Sequence, residues 1–383
     1  MGHQNTIFHQ LLANLPWGAF NQLVKEHRAD KGVRRLDTRT QLISLLYHQV
    51  METGGLRRLV DSYESQRRRL YHLGVGKVSR STLSDANASR PSEVFTGLFT
   101  ALLGRVQPAV ADKVRDCVHL IDSTAVRLNR FSAWAPSPGG GHGAKAHIVY
   151  DPDADCPIHA VITAANVNDI SAAKTLPIKP GATYVFDLGY YDYRWWSDLD
   201  AAGCRIVTRF KTNTPLRDVG ERLVEPGGPI LSDRTGLLPA RLAWRRQNPM
   251  SGRVREVRVM TETGKVLRLL SNDLISPAAV IAGLYKRRWA IELFFRWVKQ
   301  TLKIKRFLGT SENAVRIQIT VALIAFLLLR AARHALDIQA GPLEFATLIK
   351  ANIMHRGSIR VLLGLTDEPR RSRNDRQEGF QWA

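Results

Sequence analysis

Several ingredients that usually announce a function are scarce or missing in this chain of 383 residues. It has only three cysteines, Cys117, Cys156 and Cys204, far apart from one another. No zinc spacing and no disulfide framework can be built from them. Each lies in or beside a strand-like apolar run and reads as a reduced core residue of a cytosolic protein. No apolar run reaches the roughly 18 residues of a membrane-spanning helix. The longest, Val321–Leu329, stops at Arg330 and reads as a buried helix. The first residues, Met1-Gly2-His3-Gln4-Asn5, lack the charged-then-apolar order of a secretory signal. There is no phosphate-binding P-loop, no Rossmann glycine set and no internal repeat, so ATP-driven and nicotinamide chemistry find no support. Acidic residues are also short: 34 Asp and Glu against 55 Lys and Arg give a formal net charge of +21. A surplus of that size describes partners, not fold, and points to a polyanion. With no membrane segment in view, nucleic acid is the expected partner, and the expected place is the cytoplasm, at the nucleoid.

What is present falls into blocks. Residues 1–112 read as helical, with Phe8, Leu11, Leu12, Leu15 and Phe20, then Leu42, Leu45, Leu46 and Val50, at helical intervals. Basic clusters punctuate this block, notably Arg67-Arg68-Arg69. A break at Gly74-Val75-Gly76 leads to Lys77-Val78-Ser79-Arg80-Ser81-Thr82, where Ser81 or Thr82 is placed to cap the next helix. Arg67, Arg68, Arg69, Lys77, Arg80, Ser81 and Thr82 are candidate DNA contacts, because a capped helix start rich in Ser, Thr and Arg suits phosphate. The alternative is a plain loop-to-helix junction.

From about 113 the pattern changes to short β-prone runs at 116–121, 145–150, 157–164, 183–188 and 204–210, with a helical stretch over 192–202 containing Trp195, Trp196 and Leu199. A second β-rich segment, about 212–272, alternates arginine with apolar residues, as in Val254-Arg255-Glu256-Val257-Arg258. Such arginines are either the solvated face of a sheet or a clamp for substrate. Residues 273–310 hold a further helix, 311–366 read as C-terminal helices, and 367–383 form a polar tail expected to be disordered. Asp151, Asp153 and Asp155 read as a turn between strands, since the later glycine and glutamate of a calcium loop are missing. Asp169 reads as a helix cap.

The most informative stretch is Tyr285-Lys286-Arg287-Arg288-Trp289-Ala290-Ile291-Glu292, with Lys299 seven residues on. At ~100° per residue, Tyr285, Arg288, Glu292 and Lys299 fall within a ~60° stripe of one helix. Ile291, Phe294, Phe295 and Val298 gather on another face. One helix would thus bury an apolar side and present a carboxylate among cations. Trp289 could stack on a base, but core is the preferred assignment. Read alone, such a stripe is an ordinary charged face.

The spacing Tyr-x2-Arg-x3-Glu-x6-Lys, together with two aspartates upstream, resembles the IS4-family DDE transposases. Asp122 in Val118-His119-Leu120-Ile121-Asp122-Ser123-Thr124 resembles the family's first aspartate, at a strand end. Asp187 in Val185-Phe186-Asp187-Leu188-Gly189-Tyr190-Tyr191 resembles the second. Gly143-Ala144-Lys145-Ala146-His147 and Thr163–Asp169 resemble the intervening strands, and Arg80–Asn87 the domain that precedes the core. One departure is Asp192-Tyr193, where a basic residue is common. The resemblance implies an α/β fold: an RNase H-like catalytic core interrupted by an antiparallel β insertion, between a helical N-terminal DNA-binding domain and a helical C-terminal region. It implies Asp122, Asp187 and Glu292 as catalytic carboxylates holding two Mg²⁺ or Mn²⁺ ions, in keeping with the preference of hard cations for oxygen. Tyr285, Arg288 and Lys299 would contact DNA phosphates near the element end. The implied reaction is cut-and-paste transposition through a hairpin, by a homodimer in the synaptic complex on double-stranded DNA. A non-catalytic DNA-binding regulator and a stand-alone nuclease of the same fold are the alternatives.

Overall fold

The computed structural model describes residues 6–106, 117–240, 247–301 and 307–362. Its N-terminal part is helical: α1 Ile7–Leu12, α2 Trp17–Glu26, α3 Thr38–Met51, α4 Leu56–Ser65, α5 Arg67–Leu70, α6 Arg80–Ser89 and α7 Ser92–Val106. Side-chain caps fix several starts. Thr6 accepts from the His9 N–H, Asp37 from Thr40 and Ser79 from Thr82. The cap of α6 is therefore Ser79, not Ser81 or Thr82, both of which lie inside the first turn. Helix α6 begins earlier because Ser79 has the extended backbone that a cap needs.

The sheet has nine strands: β1 Val118–Leu128, β2 His142–Asp151, β3 Cys156–Ala164, β4 Thr183–Phe186, β5 Arg205–Arg209, β6 Arg217–Arg222, β7 Ile230–Leu237, β8 Arg253–Met260 and β9 Val266–Ser271. They run in the order β3-β2-β1-β4-β5-β9-β8-β7-β6. Strands β1, β4 and β5 are parallel, whereas β2 and β3 are antiparallel hairpin neighbours. Strand β9 returns antiparallel onto β5, so β6–β9 extend the same sheet. Two short helices, α8 Asp169–Ala173 and α9 Tyr193–Ala201, sit in the connections around β4. After the sheet come α10 Ala278–Arg287, α11 Trp289–Thr301, α12 Glu312–Ala335, α13 Pro342–Asn352 and α14 Ile359–Leu362.

Alternation along the central strands divides the interior. Leu120, Val185 and Val207 face one side, with α11, α12 and the N-terminal helices. Ile121, Tyr184, Phe186 and Ile206 face the other, against Trp195, Trp196 and Leu199 of α9. Helix α12 is long and apolar enough to cross a membrane, but 83% of its most apolar window is buried within the molecule. It is the central core helix, packed on α3, α6 and α7. The N-terminal helices thus share one hydrophobic cluster with α12 and the sheet.

The arginines of β6–β9 are largely committed to internal acids. Glu256, with no exposed side-chain surface, receives Arg234 at 2.9 Å, Arg258 at 2.9 Å and Arg268 at 2.7 Å. Buried Arg255 pairs with Asp233 at 2.7 Å, and Arg253 pairs with Asp218. For Arg234, Arg255 and Arg268 pairing with buried acids takes the place of a solvated face, whereas Arg253 and Arg258 keep exposed positions on the sheet. Residues 241–246 and the tail from 367 lie outside the described residues.

Candidate active site

Asp122 lies inside an eleven-residue strand and does not end it. The expectation of a strand end holds only toward β4. The last parallel pair of β1 and β4 is Ile121↔Phe186, and Asp122 and Asp187 are the next residues of each strand. There the strands part: β1 continues on β2, with Asp122 opposite Ile148, while the chain after Phe186 turns into a short 3-10 helix. Asp187 caps that turn, its Oδ1 accepting from the Gly189 N–H at 2.8 Å. This divergence leaves a notch between two carboxyl groups.

Helix α11 closes the notch from one face. The stretch from Tyr285 to Lys299 is not one helix, because it breaks at Arg288 between α10 and α11. The Arg288 and Ile291 N–H groups bond three residues back, to the carbonyls of Tyr285 and Arg288, in place of the four-residue α pattern. The break puts Glu292 in the first turn of α11, where a negative charge suits the helix dipole. Ile291, Phe294, Phe295 and Val298 bury the opposite side of α11, anchoring it on the sheet.

Arg288 then bridges the two carboxylates. Its Nη1 donates to Asp122 Oδ2 at 3.1 Å and its Nη2 to Glu292 Oε1. The Tyr285 ring, only 8% exposed, lies 5.7 Å from the guanidinium carbon. Burial pushes the Asp122 carboxyl up. The Ser123 N–H opposes this, Asp187 and Glu292 add to it and Arg288 offsets it, leaving the group at about 6. Burial disfavours the Arg288 charge, but Tyr285, Glu292 and Asp122 outweigh that and raise its pKa.

The other members differ in setting. Lys299 is exposed near the end of α11. Trp289 is 53% exposed, which corrects its assignment to the core: it lies across the helix from the buried Ile291, Phe294 and Val298, with Arg296 5.7 Å from its ring. Asp192, at the position where a basic residue was expected, caps α9 through the Trp195 N–H at 2.8 Å and pairs with Lys174 at 2.7 Å. Arg67, Arg68, Arg69, Lys77, Arg80 and Ser81 are exposed, and Thr82 is half-buried. Asp169 is not the cap of α8: Asn168 holds that position and Asp169 opens the helix. Its side chain reaches instead toward the notch, a role that sequence reading missed.

Among the described residues, no three acidic, histidine or cysteine side chains converge tightly enough to hold a metal ion. The donors nonetheless suit a hard divalent cation in kind, being carboxylate oxygens. Two of them already close around a cation, the Arg288 guanidinium, and Asp122 feels the charge of both Asp187 and Glu292. The residues therefore fit such an ion once Arg288 yields.

The chain itself belongs to a known class. The transposase DDE domain matches residues 114–328, more than half of the chain, which is therefore a member of the DDE transposase family. A domain of unknown function, DUF4372, matches residues 3–76. The chain is 41% identical over 284 residues to the putative transposase y4zB of Sinorhizobium fredii, covering 73% of this chain and 79% of that one. It is 29% identical over 263 residues to the probable transposase for insertion sequence element IS5377 of Geobacillus stearothermophilus, covering 67% and 68%. A shorter match, 36% over 79 residues, joins it to the putative transposase for insertion sequence element IS4SA of Synechocystis, covering 19% and 23%. Among solved structures, the piggyBac transposase synaptic complex with hairpin DNA aligns with 94% of this chain and 83% of that chain, at 12% identity and a TM-score of 0.42. Membership of the DDE family carries divalent-metal dependence with it.

Proposed function

We propose that this transposase binds the ends of its insertion sequence and moves it by cut-and-paste, cleaving and rejoining DNA at one site formed by Asp122, Asp187 and Glu292. The observation that carries the reading is the Arg288 bridge between Asp122 and Glu292, beside the point where β1 and β4 part. The β3-β2-β1-β4-β5 order, antiparallel on one side of β1 and parallel on the other, supports an RNase H-like core, with β6–β9 as its insertion.

Asp122, Asp187 and Glu292 would hold two divalent ions, Mg²⁺ or Mn²⁺. Bound there, the ions would activate the attacking oxygen and stabilise charge on the leaving one. Asp122 at about 6 is mostly ionised at neutral pH and ready to ligate. Arg288, released from its carboxylates, is placed to take a phosphate bidentately. Tyr285 lies beside it, and exposed Lys299 adds a second cation along α11. Each step is an in-line displacement at phosphorus, so one constellation serves them all. Water frees a 3′-OH at the element end, that hydroxyl forms a hairpin with the opposite strand, and after reopening it joins target DNA. Two copies of the chain bring the two ends together, and exposed Arg67, Arg68, Arg69, Lys77, Arg80 and Ser81, with half-buried Thr82, contact the ends at the nucleoid.

The test is cleavage of an element-end duplex in Mg²⁺ by Asp122→Asn, Asp187→Asn and Glu292→Gln. Each should lose cleavage, at least a hundredfold, while end binding in EDTA stays near that of the parent. Near-normal cleavage by any one variant removes that residue from the site.

A further inference from the structure

We propose that Asp169 is a positioning residue of this active site, tying the strand that carries Asp122 to the turn that carries Asp187 and so setting the separation of the two carboxylates. The inference rests on the three-carboxylate reading above. Ser123 follows Asp122 in β1, and its Oγ donates to Asp169 Oδ1 at 2.9 Å. The same oxygen receives Lys145 Nζ, from the neighbouring strand β2, at 3.1 Å. Lys145 is itself held by the Val167 carbonyl at 3.1 Å, so its ammonium is aimed by two fixed acceptors. His147, which faces Ser123 across the β1–β2 pair, lies 3.6 Å from that oxygen through Nδ1 and bonds Thr163 Oγ1 through Nε2 at 2.8 Å. One Asp169 oxygen thus gathers β1 and β2.

The other oxygen faces the second catalytic turn. A Cβ built on Gly189 would stand 3.1 Å from Asp169 Oδ2 and 3.1 Å from Asp187 Oδ1. A methyl there would crowd both carboxylates by a few tenths of an ångström, so glycine lets the Asp187 turn lie close against Asp169. Tyr190, fully buried beside them, has its hydroxyl pushed up by burial and then by Asp122, Asp169 and Asp187, whose fields overlap at one point. Two hydrogen-bonded neighbours and one steric neighbour make Asp169 a brace across the notch. If the brace is lost, the Asp122 end of β1 and the Asp187 turn keep their strand partners but not their mutual distance.

The proposal predicts a specific loss of ion affinity. Outer partners of ligating carboxylates typically account for 10- to 100-fold in metal affinity or activity, on the order of what is expected here. Mn²⁺ binding to the full-length protein would be followed by electron paramagnetic resonance, with thermal unfolding in EDTA and end-DNA binding in EDTA as controls. Asp169→Ala should raise the Mn²⁺ dissociation constant at least tenfold with end binding unchanged. Ser123→Ala should raise it several-fold. Asp169→Asn, which still accepts from Ser123 but no longer balances Lys145, should fall between. Parallel losses in melting temperature, end binding and Mn²⁺ affinity would mark a merely structural residue and overturn the proposal. If Asp169→Ala does not fold, Ser123→Ala and Asp169→Asn decide the matter: parental Mn²⁺ affinity in both overturns it. Asp122→Asn separates the two levels of inference. Parental Mn²⁺ binding by Asp122→Asn defeats the site itself, whereas lost binding there with parental binding in the Asp169 and Ser123 variants defeats only the brace.

Discussion

A carboxylate held in a buried notch beside two others should cost the fold stability, and Asp122 allows that cost to be worked out. Its side chain is 18% exposed, and its pKa rises from 3.8 to about 6. A carboxyl raised in the folded state favours folding while it is protonated and opposes it once ionised. The penalty is therefore absent below pH about 4, grows as pH rises, and is complete above about 6 to 7. Roughly two pH units at about 1.4 kcal/mol each give an upper value of about 3 kcal/mol. Asp122→Asn removes the charge but cannot keep both hydrogen bonds. Its amide oxygen can accept from the Ser123 N–H, 2.7 Å from Oδ1 in the parent, or from Arg288, not from both. That loss returns about 1 kcal/mol. The net expectation in EDTA at pH 8 is a variant more stable by about 2 kcal/mol, a rise of several degrees in melting temperature. At pH 4 the gain should vanish and the sign should turn slightly negative. The assay is urea unfolding of both proteins from pH 4 to pH 8. A variant equally or less stable at pH 8, or a difference that does not change with pH, refutes the electrostatic account of the notch.

Other residues give further expectations. Glu256 is held down at about 2: burial opposes this, but Arg268, Arg258 and Arg234 outweigh it, so its contribution is present above pH about 4.5 and lost as pH falls toward 2. Glu256→Gln should destabilise the protein at pH 7 by on the order of 3 kcal/mol, read by urea unfolding, and by much less at pH 3. Arg288→Ala leaves Asp122 and Glu292 facing each other without their cation; in EDTA it should cost about 1–3 kcal/mol, and added Mg²⁺ should restore more stability to it than to the parent. Equal melting temperatures in EDTA would argue against the bridge. Gly189→Ala should depress cleavage strongly while leaving end-DNA binding intact in a gel-shift assay, since its Cβ meets Asp169 and Asp187 at 3.1 Å. Duplex binding should weaken steeply between 50 and 200 mM salt, because a chain of net charge +21 releases several counterions on binding; a flat salt response would sink the assignment of a phosphate-contacting surface.

Much of this was readable from residue order, and the exceptions have physical causes. The five central strands and the helix of Trp195, Trp196 and Leu199 follow from β-prone runs and helical spacing that the packing does not contradict. Asp122, Asp187 and Glu292 stand out as candidates because each sits in a short recognisable context. The break at Arg288 was not. No glycine or proline stands between Tyr285 and Glu292, so a helical wheel draws one helix there, and it is the pull of two carboxylates on one guanidinium that accompanies the break. Trp289 was misassigned for a different reason: its aromatic character suggested core, although at ~100° per residue it falls across the helix from Ile291, Phe294, Phe295 and Val298. The Asp169 brace was hidden by distance in the chain: Ser123, Lys145 and Gly189 come from three separate elements, and no local pattern relates them.

The arginines of β6–β9 raise a different point about charge. An alternating Arg-apolar pattern cannot say whether the opposite charge is a buried acid or a phosphate, because both satisfy the same fork of donors. Here Glu256 and Asp233 satisfy Arg234, Arg255, Arg258 and Arg268 internally. Each such pairing is neutral or leaves a cation over, so the network does not reduce the net charge of +21 at all. Three arginines around one Glu256 even concentrate positive charge on β7, β8 and β9. The surplus that attracts a polyanion must therefore be sought in residues that no acid neutralises and in clusters where one acid serves several cations. Arg288 is the limiting case, one cation serving two acids. It adds nothing to long-range attraction while its carboxylates hold it, and on the function proposed above it would become a phosphate ligand only when another cation takes its place.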